Sequence, residues 1–191
     1  MTKPIKIIDI FSGPGGLGEG FSALKNASGA SVFKIAVSIE KERSAHRTLK
    51  LRAFFRQFDG NAPKEYYDFL KGKLGATPEE ILYTLPKFSS QVRAAEKEAL
   101  NLELGRDNDL IESKITEAIG SDDCILIGGP PCQAYSLAGV ARNRNNKGYD
   151  PTQDPRNFLY KEYLKIIALF QPSIFVMENV KGMLSAKVDG K

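Results

Sequence analysis

Four short apolar runs punctuate the chain, and each stops abruptly at glycine, proline or polar residues: Lys6–Phe11, Val32–Glu40, Cys124–Ile127 and Ser173–Glu178. Runs of that length, rich in β-branched residues and closed by turn formers, predict buried strands of a parallel sheet. Between them apolar residues recur at helical spacing over Leu17–Leu24, Arg43–Phe58, Asp109–Ile119 and Asn157–Phe170. Residues 59–104 predict three further helical pieces: Tyr66-Tyr67-x-Phe69-Leu70, Pro78–Leu85 opened by the cap Thr77, and Ser90–Leu104, rich in Ala, Glu and Leu. Strands alternating with helices through right-handed crossovers predict an α/β fold, a doubly wound parallel sheet, with residues 53–105 as a helical insertion. No internal repeat is present. The loop 134–155, dense in Asn, Gly, Arg and Asp, is too long for a plain connector and predicts a lid or binding loop.

The chain has 191 residues, which fits one domain able to bury a real core. Apolar residues make up 42% and charged residues 26%, the balance of a soluble globular protein, and no run approaches membrane-spanning length. The start MTKPIKIIDIF lacks the apolar centre of a signal peptide, so a cytoplasmic location is expected. Two cysteines, Cys124 and Cys132, make no disulfide scaffold, and a single histidine, His46, leaves a metal site without ligands.

The net charge of +4 suits a polyanionic partner without demanding one. Its distribution says more. Residues 52–105 hold eight Lys/Arg and eight Asp/Glu, so the excess lies elsewhere. One cluster is Lys41, Arg43, Arg47, Lys50 and Arg52 against Glu42, the pattern of a solvated helix face. Another is Arg142, Arg144, Lys147 and Arg156, close after Cys132.

Three strand ends carry candidate chemistry. After the first strand, Gly13-x-Gly15-x-x-Gly18 opens a helix, and Glu40 closes the second strand twenty-two residues beyond Gly18. Glycines there let the backbone approach a nucleoside-containing cofactor, and the carboxylate suits ribose hydroxyls. The pattern alone does not separate NAD from S-adenosylmethionine, and a glycine turn can also serve only helix–sheet packing. After Cys124–Ile127, Pro130 and Pro131 stiffen the exit from the sheet and set Cys132 at a carboxyl end, where a thiolate can attack an electrophilic carbon. Cysteine is equally a common buried residue.

The runs DIFSGPGG (Asp9–Gly16), GGPPCQAYS (Gly128–Ser136) and VMENVKG (Val176–Gly182), in that order, resemble the cytosine-5 DNA methyltransferase family. The resemblance extends from residue 5 to about residue 184, without 53–105. It implies a Rossmann-like, S-adenosylmethionine-dependent methyltransferase fold. It implies that Phe11 stacks on adenine, that Gly13, Gly15, Gly16 and Leu17 line the methionine portion, and that Glu40 holds the ribose. Lys41 stands where the family commonly has an aromatic or aliphatic residue packing on adenine, leaving that contact to its methylene stem. Asp109, with Leu110 beside it, would accept from the adenine amino group, Asp107 being the neighbouring alternative. Pro130 joins the cofactor set, and Leu159 follows from the match Asp154-Pro155-Arg156-Asn157-x-Leu159.

For the chemistry, the resemblance assigns Cys132 to addition at carbon 6 of cytosine and Glu178 to N3 and the exocyclic amine. A buried position beside Phe175 and Met177 would favour the protonated carboxyl that this role needs; a strand-end ion pair is the structural alternative. Asn179 is expected to fix loop geometry. The target base of duplex DNA must flip out, with Gln133, Ser136, Arg142, Arg144 and Lys147 as the DNA-contacting set. The family continues past Glu-Asn-Val with a target-recognition region and closing segments. The chain is therefore expected to be the amino-terminal part of a catalytic domain, paired with a complementary chain or self-associating through a sheet edge. Other readings are a non-catalytic partner- or nucleic-acid-binding module and RNA as substrate. A dehydrogenase is the most distant, because no catalytic His, Lys or Tyr constellation accompanies the glycine loop.

Overall fold

The computed structural model describes residues 3–75, 77–131 and 158–181. Among these, five strands form one parallel sheet in the order β3-β2-β1-β4-β5. The strands are β1 (Ile5–Ile10), β2 (Phe33–Ile39), β3 (Ala99–Leu100), β4 (Cys124–Gly128) and β5 (Ile174–Met177). The chain winds outward from β1 in one direction through β2 and β3, then returns to place β4 on the other side of β1. That reversal creates a crevice outside the carboxyl ends of β1 and β4.

Side-chain alternation along β1 explains why helices must cover both faces. Ile8 and Ile10 join Val37, Ile39 and Leu126 under α6 (Asn108–Ile119) and α7 (Leu159–Phe170), which contribute Ile111, Ile115, Tyr163 and Ile166. Ile7 points the other way, with Ile35, Ile125 and Ile127, beneath Leu17 and Phe21 of α1 (Gly16–Ser22). Tyr163 is fully buried, and its hydroxyl donates to the Val176 carbonyl at 3.0 Å, tying α7 to β5. Burial pushes its phenol above the ordinary tyrosine range, so it remains a donor.

α2 (Arg43–Arg56) carries a third apolar cluster. Leu49, Ala53 and Phe54 cluster with residues of α3 (Lys64–Leu70), with Leu82 just after α4 (Pro78–Ile81), and with residues of a 3₁₀ turn (Pro86–Phe88) and α5 (Ser89–Glu98). The Phe54 ring meets Phe58, Tyr83 and Phe88 edge-on at 5.1, 5.7 and 5.7 Å, a geometry worth ~0.5–1.5 kcal/mol per pair beyond area burial. The helical segment is narrower than the expected 53–105, because residues up to Arg56 complete α2 and Ala99–Leu100 form β3. The Ala/Leu/Glu composition of 90–104 favours helix. Parallel pairing of Ser38 with Ala99 and Ile39 with Leu100 overrides it. This segment also answers the basic cluster on α2: Arg47 meets Glu79 at 3.5 Å and Lys50 meets Glu96 at 2.9 Å. Arg43 and Arg47 are exposed, as expected of a solvated face, and Arg47 and Lys50 form ion pairs on it.

Gly128 closes β4 opposite Ile10. A Cβ at Gly128 would lie 2.2 Å from the Ile10 carbonyl oxygen, and a strand backbone in mid-sheet cannot move aside. Gly128→Ala is therefore expected to cost about 3 kcal/mol or more. Chemical denaturation measures it, and an unchanged midpoint would contradict this pairing.

Candidate functional site

The crevice holds a cavity of about 240 Å³ lined by Phe11, Gly13, Ile39, Glu40, Lys41, Leu102, Leu104, Gly129, Pro131 and Leu159. Its walls come from the carboxyl ends of β1, β2 and β4, the segment after β3, and the start of α7. Phe11 has φ 54°, a left-handed conformation that costs a non-glycine residue of order 1–3 kcal/mol and is held by surrounding structure. That turn aims the ring at the cavity while it packs on the core beside α6.

Glu40 is fixed by two backbone donors. The Gly13 N–H gives a bond of 2.8 Å to one carboxylate oxygen, and the Glu42 N–H gives one of 2.6 Å to the other. A carboxylate has about four acceptor positions, so capacity remains for a vicinal diol. Asn101 ties the same corner together, its amide donating to the Glu40 and Lys41 carbonyls at 2.8 and 2.9 Å. Lys41 lines the cavity while its ammonium pairs with Glu103 at 3.0 Å, which leaves the stem to the cavity.

The glycine loop divides its labour. Gly15 caps α1 with φ 87°, and a Cβ there would meet Leu49 Cδ1 at 2.8 Å, so α2 lies directly against the loop. Gly16 begins α1. Leu17 turns its side chain into the core below α1, leaving only its backbone near the loop. Asp109 and Leu110 also stand apart: both are exposed in the first turn of α6 and neither lines the cavity. Asp107 instead accepts from the Glu103 N–H at 2.8 Å. Leu102 and Leu104 take that wall, because the chain passes the strand ends straight after β3, well before α6 begins. The reading of 90–104 as one helix concealed them.

Pro130 is buried and its carbonyl accepts from the Asn179 amide at 3.0 Å, while Pro131 reaches the cavity. Asn179 thus joins the segment after β5 to the one after β4, the role in loop geometry expected of it. Glu178 donates its N–H to the Gly128 carbonyl at 2.9 Å. Its carboxylate lies over Gly129, where a Cβ would come within 2.8 Å of Oε2. The apolar burial expected around Glu178 is not formed by the described residues: Glu178 is exposed and Phe175 is 54% exposed, because β5 pairs only with β4 among them. Cys132, Gln133, Ser136, Arg142, Arg144 and Lys147 lie outside the described residues.

Behind the loop, Asp9 is 1% exposed and its Oδ2 has no hydrogen-bond partner among the described residues. Burial lifts its carboxyl to about 7, opposed in part by Ser12 and the Arg56 charge. The folded chain therefore holds a proton that the unfolded chain releases above about pH 4. Stability from this group is greatest below that pH and falls, by up to about 1.4 kcal/mol per unit, until about pH 7. Denaturation across pH 5 to 7 should show that decline in the wild type and not in Asp9→Asn; parallel profiles would contradict it.

Comparison with known proteins adds the family. Residues 101–189 match the family described as C-5 cytosine-specific DNA methylase. That stretch carries Pro-Pro-Cys-Gln and Glu-Asn-Val, the segments whose described residues meet at Gly129. Over that stretch the chain is similar to C-5 cytosine-specific DNA methylases. A type II methyltransferase of Bacillus paralicheniformis is 33% identical over 95% of this chain and 42% of its own length. Another, from Picosynechococcus, is 31% identical over 94% of this chain and 50% of its own. The chain thus spans about half the length of these curated relatives. Among solved structures, a methyltransferase of Entamoeba histolytica aligns over 97% of this chain and 41% of its own at 15% identity, with a TM-score of 0.42. No helix among the described residues is long and apolar enough to cross a membrane.

Proposed function

We propose that this chain forms the cofactor- and cytosine-handling part of a DNA (cytosine-5) methyltransferase of a restriction–modification system, with S-adenosylmethionine as methyl donor. The observation that carries this reading is convergence. Phe11, Glu40, Lys41, Pro131 and Leu159, scattered through the sequence, share one cavity, and Glu178 lies against Gly129 at its edge. The cavity fits the donor's nucleoside end: Phe11, Ile39, Leu102, Leu104 and Leu159 offer apolar walls to a purine, and the doubly anchored Glu40 offers acceptors to a ribose. When bound, S-adenosylmethionine supplies a methyl group on an electrophilic sulfonium.

The chain's own residues prepare cytosine to receive it. Carbon 5 becomes nucleophilic once the Cys132 thiolate adds to carbon 6. The charge that develops on the ring is neutralised by a proton shared between the Glu178 carboxyl and N3, with the other carboxyl oxygen accepting from the exocyclic amine. Pro130, Pro131 and the Asn179 bond restrict the approach of the cysteine segment. Loss of the carbon-5 proton to a base and departure of the Cys132 thiolate restore the aromatic ring. A base inside a duplex must leave the stack first, and Gln133, Ser136, Arg142, Arg144 and Lys147 would hold the DNA around it.

The test is transfer of a tritiated methyl group from S-adenosylmethionine to duplex DNA by the protein, with 5-methylcytosine identified in the digest. Cofactor binding without methylated cytosine would turn the reading towards a binding module, and methylation of RNA alone would change the substrate.

A further inference from the structure

The glycine loop is held from behind by a charged bridge that no part of the proposed chemistry uses. Arg56, the last residue of α2, has a side chain 15% exposed and stands between two carboxylates. One guanidinium nitrogen bonds Glu19 of α1, another bonds Glu98 at the end of α5, and Nε donates to the same Glu98 oxygen at 3.1 Å. Glu98 is 8% exposed, and Gln57 donates to its second oxygen at 3.4 Å. Burial raises the Glu98 carboxyl above its ordinary range, and the Arg56 charge and hydrogen bond oppose that rise.

α1 depends on such support. It has seven residues and no side-chain cap at Gly15, and its first turn closes through the Glu19 N–H donating to the Gly15 carbonyl at 3.0 Å. A helix that short has little stability of its own and takes its position from what it packs on. Glu19 therefore sits one turn from the loop whose Gly13 N–H holds Glu40. A planar guanidinium fixes two carboxylates in direction as well as distance, which a lysine ammonium does not.

We propose that Arg56 is a positioning residue: through Glu98 and Glu19 it makes the helical segment before β3 an outer support of the cofactor loop. The segment then serves cofactor binding at a distance. The link to S-adenosylmethionine rests on the function proposed above; the link to the loop does not.

Hydrogen exchange without ligand separates the two. In Glu98→Gln, amides of Gly15–Glu19 should exchange about tenfold faster while those of β4 remain unchanged, the signature of local and not global opening. By calorimetry the dissociation constant for S-adenosylmethionine should rise about tenfold, with the cofactor KM following and kcat unchanged. Both effects should disappear when Glu98→Gln is made in an Arg56→Met background, where the bridge is already gone. Arg56→Lys alone should fall between wild type and Arg56→Met. Should Glu98→Gln fail to fold, Glu19→Gln, at a side chain 33% exposed, interrogates the same bridge. Unchanged loop exchange, or an increase spread equally over β4, would overturn the positioning role. Local loop exchange in a protein whose wild type binds no S-adenosylmethionine would instead refute the function and leave the bridge standing.

Discussion

Cys132→Ser is expected to abolish methyl transfer to cytosine while leaving the affinity for S-adenosylmethionine close to that of the parent protein. A cysteine is already a few per cent thiolate at neutral pH, whereas a serine hydroxyl needs a strong base to attack at all. Losing the nucleophile of a covalent route typically costs on the order of 10⁴-fold or more in kcat. Binding survives because the cavity is walled by Phe11, Glu40, Lys41, Pro131 and Leu159, and Cys132 only follows Pro131 in the chain. Duplexes carrying 5-fluorocytosine offer the sharper readout: the ring cannot lose fluorine as it loses a proton, so the adduct accumulates on the parent protein and not on the variant. Methylation by Cys132→Ser at near-parent rates would sink the covalent route.

Glu178→Gln should lower kcat by roughly 10²–10⁴-fold, the usual contribution of a positioned proton donor. The amide is nearly isosteric, so the backbone bond from Glu178 to Gly128 and the contact with Gly129 persist. What it loses is the acidic proton for N3. Gly129→Ala provides a control of a different kind, because a methyl group 2.8 Å from Oε2 pushes the carboxylate aside without changing its chemistry. Single-turnover assays should show both variants slow in chemistry, with cofactor affinity retained in Glu178→Gln. A Gln variant as fast as its parent would remove Glu178 from the proton path.

The sequence is legible where chemistry and backbone are specified within a few residues. The glycines after β1, the prolines before Cys132 and the Glu-Asn pair after β5 are local devices: each sets dihedral angles or side-chain reach for its own turn. Leu102 and Leu104 escaped for the opposite reason. Nothing within Ser90–Leu104 marks a strand, and only pairing with Ser38 and Ile39 pulls Ala99 and Leu100 out of the helical pattern. The resemblance assigns Asp109 to the adenine, with Asp107 as the alternative, whereas the strand end lies well before α6 and Asp109 is exposed.

The basic cluster of α2 shows the same limit in charge. Counting residues finds a basic cluster from Lys41 to Arg52, but two of its members, Arg47 and Lys50, meet Glu79 and Glu96 from a segment that itself sums to neutrality. Charges far apart in sequence cancel only when the chain folds them together.

By itself, then, the sequence determined the strand–helix alternation, the parallel sheet and the residue types at the three strand ends. All of these follow from hydrophobic period and local turn chemistry, which need no distant partner. Only the tertiary structure decided that Gly128 must lack a side chain opposite Ile10, that Leu17 faces the core, and that Arg56 stands behind the cofactor loop. Those outcomes depend on close approach between segments tens of residues apart, and the spacing of residues along one segment carries no record of what another will press against it.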